Sequence, residues 1–199
     1  MIADSFKEIV TIMKKLAVFS LNKKDRELSQ REDEYFRGLS SEELFFRMPK
    51  WKLFILVIGV RIAMIGMMKD IRPIVGIREE LKKLKEENYT LGIISSNYSS
   101  SIRKFLVDNE LDYFDFVYSS SVFLRKEKKL KEVLEARKFS AEEVIFIGDE
   151  TRDIEAAKKA GVKIVSVSWG FTTKKILEKY APNYLIERSE KLASLIKEI

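Results

Sequence analysis

Within Gly148-Asp149-Glu150-Thr151-Arg152-Asp153, three carboxylates fall in five consecutive residues, directly after the apolar run Val144-Ile145-Phe146-Ile147. That run has no polar alternation and reads as a parallel strand buried on both faces. Ile154, Ala156, Ala157 and Ala160 then repeat at helical spacing up to Gly161, a good residue to close a helix. The acids therefore sit where a strand ends and a helix begins, the edge at which open α/β sheets bind ligands. Acids in a first helical turn can simply cap it, at ~0.3–1 kcal/mol each. Capping accounts for one or two of them. Asp149, however, precedes the helix, and Asp149 and Asp153, four apart, can converge on one hard cation such as Mg²⁺, which prefers oxygen ligands.

Two further stretches fall at comparable places. Ser95-Ser96-Asn97 closes the apolar segment 90–95 and gathers hydroxyls, an amide and free N–H groups at a helix start. Such a place suits an anion, although a plain turn and cap explains the same residues. Arg125-Lys126-Glu127-Lys128-Lys129 opens another helix, where cations oppose the helix dipole, so one of them has a reason to be there beyond solvation. Hydroxyls, an ammonium and paired acids together suit a phosphoryl group bound through Mg²⁺, with Lys offsetting its charge.

Composition narrows the chemistry. The chain has 199 residues, 46% of them hydrophobic, with no Cys and no His. Disulfides, thiolate nucleophiles, zinc-thiolate sites, Ser-His-Asp triads and His bases are all excluded. The net charge of +6 comes from 37 basic against 31 acidic residues, and the basic ones are interleaved with Glu along helices. That is the pattern of solvated helix faces, and without a basic stripe carrying interleaved aromatics no nucleic-acid partner is expected.

The elements that must position these residues follow from periodicity. Ser5 with Glu8 makes a capping box ahead of the stripe Phe6, Ile9, Val10, Met13 and Ala17, and Ser40 with Glu43 makes a second box before Pro49. Segment 53–68 is the most apolar. It is shorter than the ~20 residues a spanning helix needs, and Arg61 interrupts it. It reads first as a buried helix of a small helical domain, then as a subunit interface that would make a homodimer, and last as membrane contact. No charged-then-apolar leader opens the sequence, and a cytoplasmic location is expected. From residue 71 helices (77–87, 99–109, 127–138, 154–160, 173–180, 190–197) alternate with strands (90–95, 116–120, 144–147, 164–167, 184–186), which implies βαβ units and a parallel sheet.

Leu91-Gly92-Ile93-Ile94-Ser95-Ser96-Asn97, then a lysine, then Ile147-Gly148-Asp149-Glu150-Thr151-Arg152-Asp153 resembles motifs two, three and four of the haloacid dehalogenase superfamily. Ile2-Ala3-Asp4-Ser5-Phe6, Val75-Gly76-Ile77, the run from Ala156 to Val162 and Ser168-Trp169-Gly170-Phe171 are similar to its phosphoglycolate phosphatase-like members. The resemblance implies a Rossmann-like parallel sheet over residues 73–199, a small helical cap over 13–72, and residues 1–12 as the start of a core helix leading into the cap. It also implies a Mg²⁺-dependent hydrolase of a small phosphorylated metabolite. Ser95, with Ser96 and Asn97, would bind the phosphoryl group. Lys126 would stabilise the phosphorylated intermediate, with Lys128 as the fallback because Arg125 stands where the family has Gly. Asp149 and Asp153 would hold the metal.

The sequence departs from the family at its opening. The first motif is a central strand ending Asp-x-Asp-Gly-Thr, whose first Asp is the nucleophile. Here Met1 stands in the place of the final Thr, no Asp-x-Asp pair occurs, and Asp4 is assigned to the helix cap. The expectation is an α/β chain lacking its first central strand and inactive as written. A non-catalytic phosphate- and metal-binding protein is the alternative, followed by a peripheral membrane or scaffold protein.

Overall fold

Apolar runs of four or five residues, each followed by an amphipathic helix, build the part of the chain visible here, a computed structural model that describes residues 3–4, 58–59, 71–119 and 126–199. In order the elements are β1 (Ala3–Asp4), β2 (Arg72–Pro73), α1 (Ile77–Glu86), β3 (Gly92–Ser95), α2 (Ser99–Asp108), β4 (Phe116–Ser119) and α3 (Lys126–Arg137). They continue with β5 (Ile145–Gly148), α4 (Thr151–Ala160), β6 (Lys163–Val167), α5 (Lys174–Lys179), β7 (Tyr184–Ile186) and α6 (Leu192–Glu198). The fold is the expected α/β class, with parallel pairing throughout the α/β part: β3 with β4, β5 with β6, and β6 with β7.

Strand alternation sorts the side chains into two layers. Ile93, Val117, Ile145, Ile147, Val165, Val167 and Ile186 join the core formed with α1, α2 and α6. Ile94, Phe146, Ile164 and Leu185 face the other way, onto α3, α4 and α5 through Leu130, Ile154 and Leu177. Helices thus cover both faces of the strands.

The strands nevertheless form two separate ladders, β3–β4 and β5–β6–β7. Among the described residues neither β3 nor β5 has a second partner, although both contribute to the same two cores. β5, expected to be buried on both faces, is half-buried over Ile145, Phe146 and Ile147, whereas β6, paired on both sides, is buried from Ile164 to Val167.

A two-residue antiparallel pair, Ala3 opposite Pro73 and Asp4 opposite Arg72, was not foreseen. It corrects the placement of Asp4 in a helix cap: the residue lies in extended backbone. The helix expected after Ser5, both early capping boxes and all of segment 53–68 except residues 58–59 lie outside the described residues. Among the described residues no helix is long and apolar enough to cross a membrane.

The final helix is fastened by a buried carboxylate. Glu80, 1% exposed, accepts the Ala193 N–H on Oε2 at 2.8 Å and the Lys83 ammonium on Oε1 at 2.6 Å. Lys197 bonds Glu87 at 2.6 Å beside it. Gly161 ends α4 with φ 72, the left-handed conformation expected of it.

Candidate active site

The carboxyl ends of β3, β4 and β5 carry Ser95, Ser119 and Gly148. Parallel pairing aligns Ser95 with Ser119, and Ser119 Oγ donates to the Asn97 carbonyl at 2.6 Å. Ser95 Oγ accepts the Asn97 N–H at 3.1 Å, so the Ser95–Asn97 corner is closed by its own hydrogen bonds. Ser96 is half-buried in the same corner. No hydrogen bond or ion pair joins these residues to the acids among the described residues.

The acids do converge. Asp149, Glu150 and Asp153 each offer a carboxylate oxygen, all within 4.8 Å of one another. Asp149 and Asp153 are buried and Glu150 half-buried. Capping and clustering turn out to be the same geometry: Glu150 is the residue before α4, and Glu150 and Asp153 form a reciprocal capping box. Asp153 Oδ2 accepts the N–H groups of Asp149 at 3.2 Å and Glu150 at 3.3 Å. Its Oδ1 accepts the Lys126 ammonium.

Lys126 is the first residue of α3, and its Nζ also lies 6.0 Å from the Phe146 ring centroid. A cation that opposes its own helix dipole is thus held by an acid of the neighbouring helix. Lys128 does something else: its side chain is 66% exposed and faces Glu132 on the same helix. The structure brings Lys126, not Lys128, to the acids.

Arg152, left open by the sequence, is half-buried beside Glu150, its Nη2 2.5 Å from Oε1. Burial lowers its pKa, but Glu150, Asp153 and Asp149 together raise it above the ordinary value. Asp149 is pushed above the usual carboxylate range, chiefly by burial and then by Glu150 and Asp153, while the N–H of Phe171 pulls the other way. That N–H, 2.7 Å from Oδ2, belongs to a turn after β6 which sequence reasoning did not place at the site. The one signal for it was the phrase Ser168-Trp169-Gly170-Phe171.

Two glycines permit this crowding. A Cβ on Gly148 would come within 3.0 Å of the Asp153 side chain, and one on Gly170 within 3.0 Å of the Asp149 side chain, closer than real Cβ atoms approach. The donor set suits Mg²⁺: three carboxylates, hard oxygen ligands only, with excess negative charge. Thr151 Oγ1, at the start of α4, and Thr172 Oγ1 have no hydrogen-bond partner among the described residues.

Comparison with known proteins gives the family and the fold. The family profile described as haloacid dehalogenase-like hydrolase matches residues 1–167. Phosphoglycolate phosphatase of Synechococcus elongatus is 31% identical over 125 residues, 62% of this chain and 59% of that protein. Pyrophosphatase PpaX of Bacillus mycoides is 28% identical over 127 residues, again 62% of this chain and 59% of its own length. The matched part of this chain thus spans well under two thirds of those relatives. A crystal structure of a predicted phosphatase from Clostridium acetobutylicum superposes with a TM-score of 0.81 at 20% identity, covering 100% of this chain and 94% of that one. A haloacid dehalogenase-like family hydrolase from Streptococcus pneumoniae gives 0.74 at 18% identity, over 98% and 93%. At those identities the likeness is one of fold.

Proposed function

Because the chain belongs to the haloacid dehalogenase-like hydrolase family, we propose that its site serves Mg²⁺-dependent hydrolysis of a small phosphorylated metabolite, phosphoglycolate-like in size. One observation carries this reading: the cluster of Asp149, Glu150 and Asp153 at the carboxyl end of β5, with the Lys126 ammonium bonded into it. Asp149 would hold the cation, and Asp153 would assist directly or through water. The ion supplies charge neutralisation and polarisation of the phosphoryl oxygens. Ser95, Ser96 and Asn97, at the end of β3, would bind phosphoryl oxygens through hydroxyl and N–H groups. Lys126 would offset charge that builds on them in the transition state.

Attack at phosphorus by the family route needs a carboxylate nucleophile. The sequence contains no Asp-x-Asp pair, so on this proposal the 199 residues bind cation and phosphate without turning over. The same observation favours a second reading, a non-catalytic phosphate- and metal-binding protein. One assay separates the two. A panel of phosphomonoesters is offered with Mg²⁺ to this chain and to the same chain preceded by a strand ending Asp-x-Asp-Gly-Thr. Turnover by the extended chain alone supports the hydrolase. If neither hydrolyses anything while Mg²⁺ and phosphate still raise the melting temperature, the binding protein stands instead.

A further inference from the structure

We infer that the turn over residues 168–172, which follows β6, is a positioning element that aims the Asp149 carboxylate and so sets the affinity for a divalent cation; the inference rests on the metal reading proposed above.

The turn is built onto Asp149 at several points. The Phe171 N–H donates to Asp149 Oδ2 at 2.7 Å, and the Thr172 N–H donates to the Asp149 carbonyl at 3.1 Å. Gly170 lies against the same side chain so closely that an added Cβ would come within 3.0 Å of Asp149 Cβ, Cγ and Oδ2. The turn is itself fixed. The Ser168 N–H donates to the Ile186 carbonyl of β7 at 3.1 Å, Trp169 packs on the main core, and Thr172 is 1% exposed.

The outcome differs between the acids. Asp153 has both oxygens engaged, one by Lys126 and the other by two backbone N–H groups. Glu150 is held by Arg152 and by the capping box. Asp149 has Oδ2 committed to the turn, while its Oδ1 accepts no hydrogen bond among the described residues. The turn thereby fixes the rotation of this carboxylate and leaves one defined oxygen for a cation. Holding a ligand atom in place before binding is how an outer shell raises metal affinity, and losing such a partner typically weakens it ~10–100-fold.

The test is Mg²⁺ binding by titration calorimetry on the 199-residue chain, which needs no turnover. Replacing Phe171 by its α-hydroxy analogue turns one amide into an ester and removes the N–H on Oδ2 while every side chain stays. Binding at least fivefold weaker, with an unchanged circular dichroism spectrum, is the result expected. Gly170→Ala is expected to weaken binding at least tenfold, and Thr173→Ala, one residue beyond the turn, to leave it unchanged. Should Gly170→Ala fail to fold, the ester variant decides alone. Wild-type affinity in the ester variant overturns the inference and leaves the metal reading intact. No Mg²⁺ binding by the unmodified chain overturns both.

Discussion

At the scale of single residues, Lys126 and Lys128 separate two explanations that the sequence left side by side. Lys126 is 19% exposed and bonded to Asp153, itself 2% exposed, whereas Lys128 is 66% exposed. Removing one partner of a buried pair strands the other charge, at ~3–5 kcal/mol, while exposed pairs are worth ~0–1 kcal/mol. Urea unfolding should therefore show Lys126→Met destabilised by about 3 kcal/mol or more and Lys128→Ala by less than about 0.5 kcal/mol. Equal effects would mean that the Lys126 pair is not formed. Asp149 makes the opposite kind of prediction. Its native pKa lies above the unfolded one, so the native chain holds that proton more tightly than the unfolded chain does. Its contribution to stability is therefore greatest at low pH and declines as pH rises from the ordinary carboxylate range through the raised native value. Asp149→Asn removes that decline. The variant should melt higher than the unmodified chain at pH 7 without cation, by about 2–4 °C for each kcal/mol relieved, and should lose stabilisation by Mg²⁺. A lower melting temperature would count against a strained carboxylate.

At the scale of elements, Glu80 shows how α6 is held. A hydrogen bond to a charged partner contributes ~1.5–3 kcal/mol, and Glu80 Oε2 satisfies an N–H in the first turn of that helix. Glu80→Ala should lose about 2 kcal/mol, and Glu80→Gln, which keeps an acceptor, clearly less. Identical losses would remove the cap from the account. Much at this scale was legible beforehand. The strands expected at 90–95, 144–147 and 164–167 and the helices between them follow from period and length alone and lie within two residues of the observed strands, and Gly161 is where a helix was expected to close. What failed to show had long-range causes. Gly148 was read as the end of an apolar run, but its lack of a side chain matters because Asp153, one helical turn on, folds back against it. The choice between Lys126 and Lys128 depends on how α3 lies against α4, which no local pattern encodes. Two-residue strands such as β1 and β2 carry no period at all. Gly170 could be seen only as part of a phrase, and its contact with Asp149 spans 21 positions of chain.

For the whole molecule, strand pairing among the described residues sets which parts open most readily. β6 is hydrogen-bonded on both sides and buried, whereas β3 and β5 have one partner each among the described residues. Amides of Ile164, Val165 and Val167 should exchange with solvent most slowly, and those of β3 and β5 faster. In the chain extended by a strand ending Asp-x-Asp-Gly-Thr, exchange in β3 and β5 should slow at least tenfold; unchanged rates would place the added strand elsewhere. The composition of the molecule has a last consequence, for how cation binding depends on pH. With no imidazole and no thiol in the sequence, the side chains that ordinarily titrate between pH 5 and 8 are missing. The shifts of Asp115, Glu127, Glu132 and Glu143 are downward, away from that window, while Asp149 is displaced toward it. Mg²⁺ binding that weakens as pH falls toward the carboxylate range would therefore report on the acids of the chain, with no imidazole or thiol titrating alongside them.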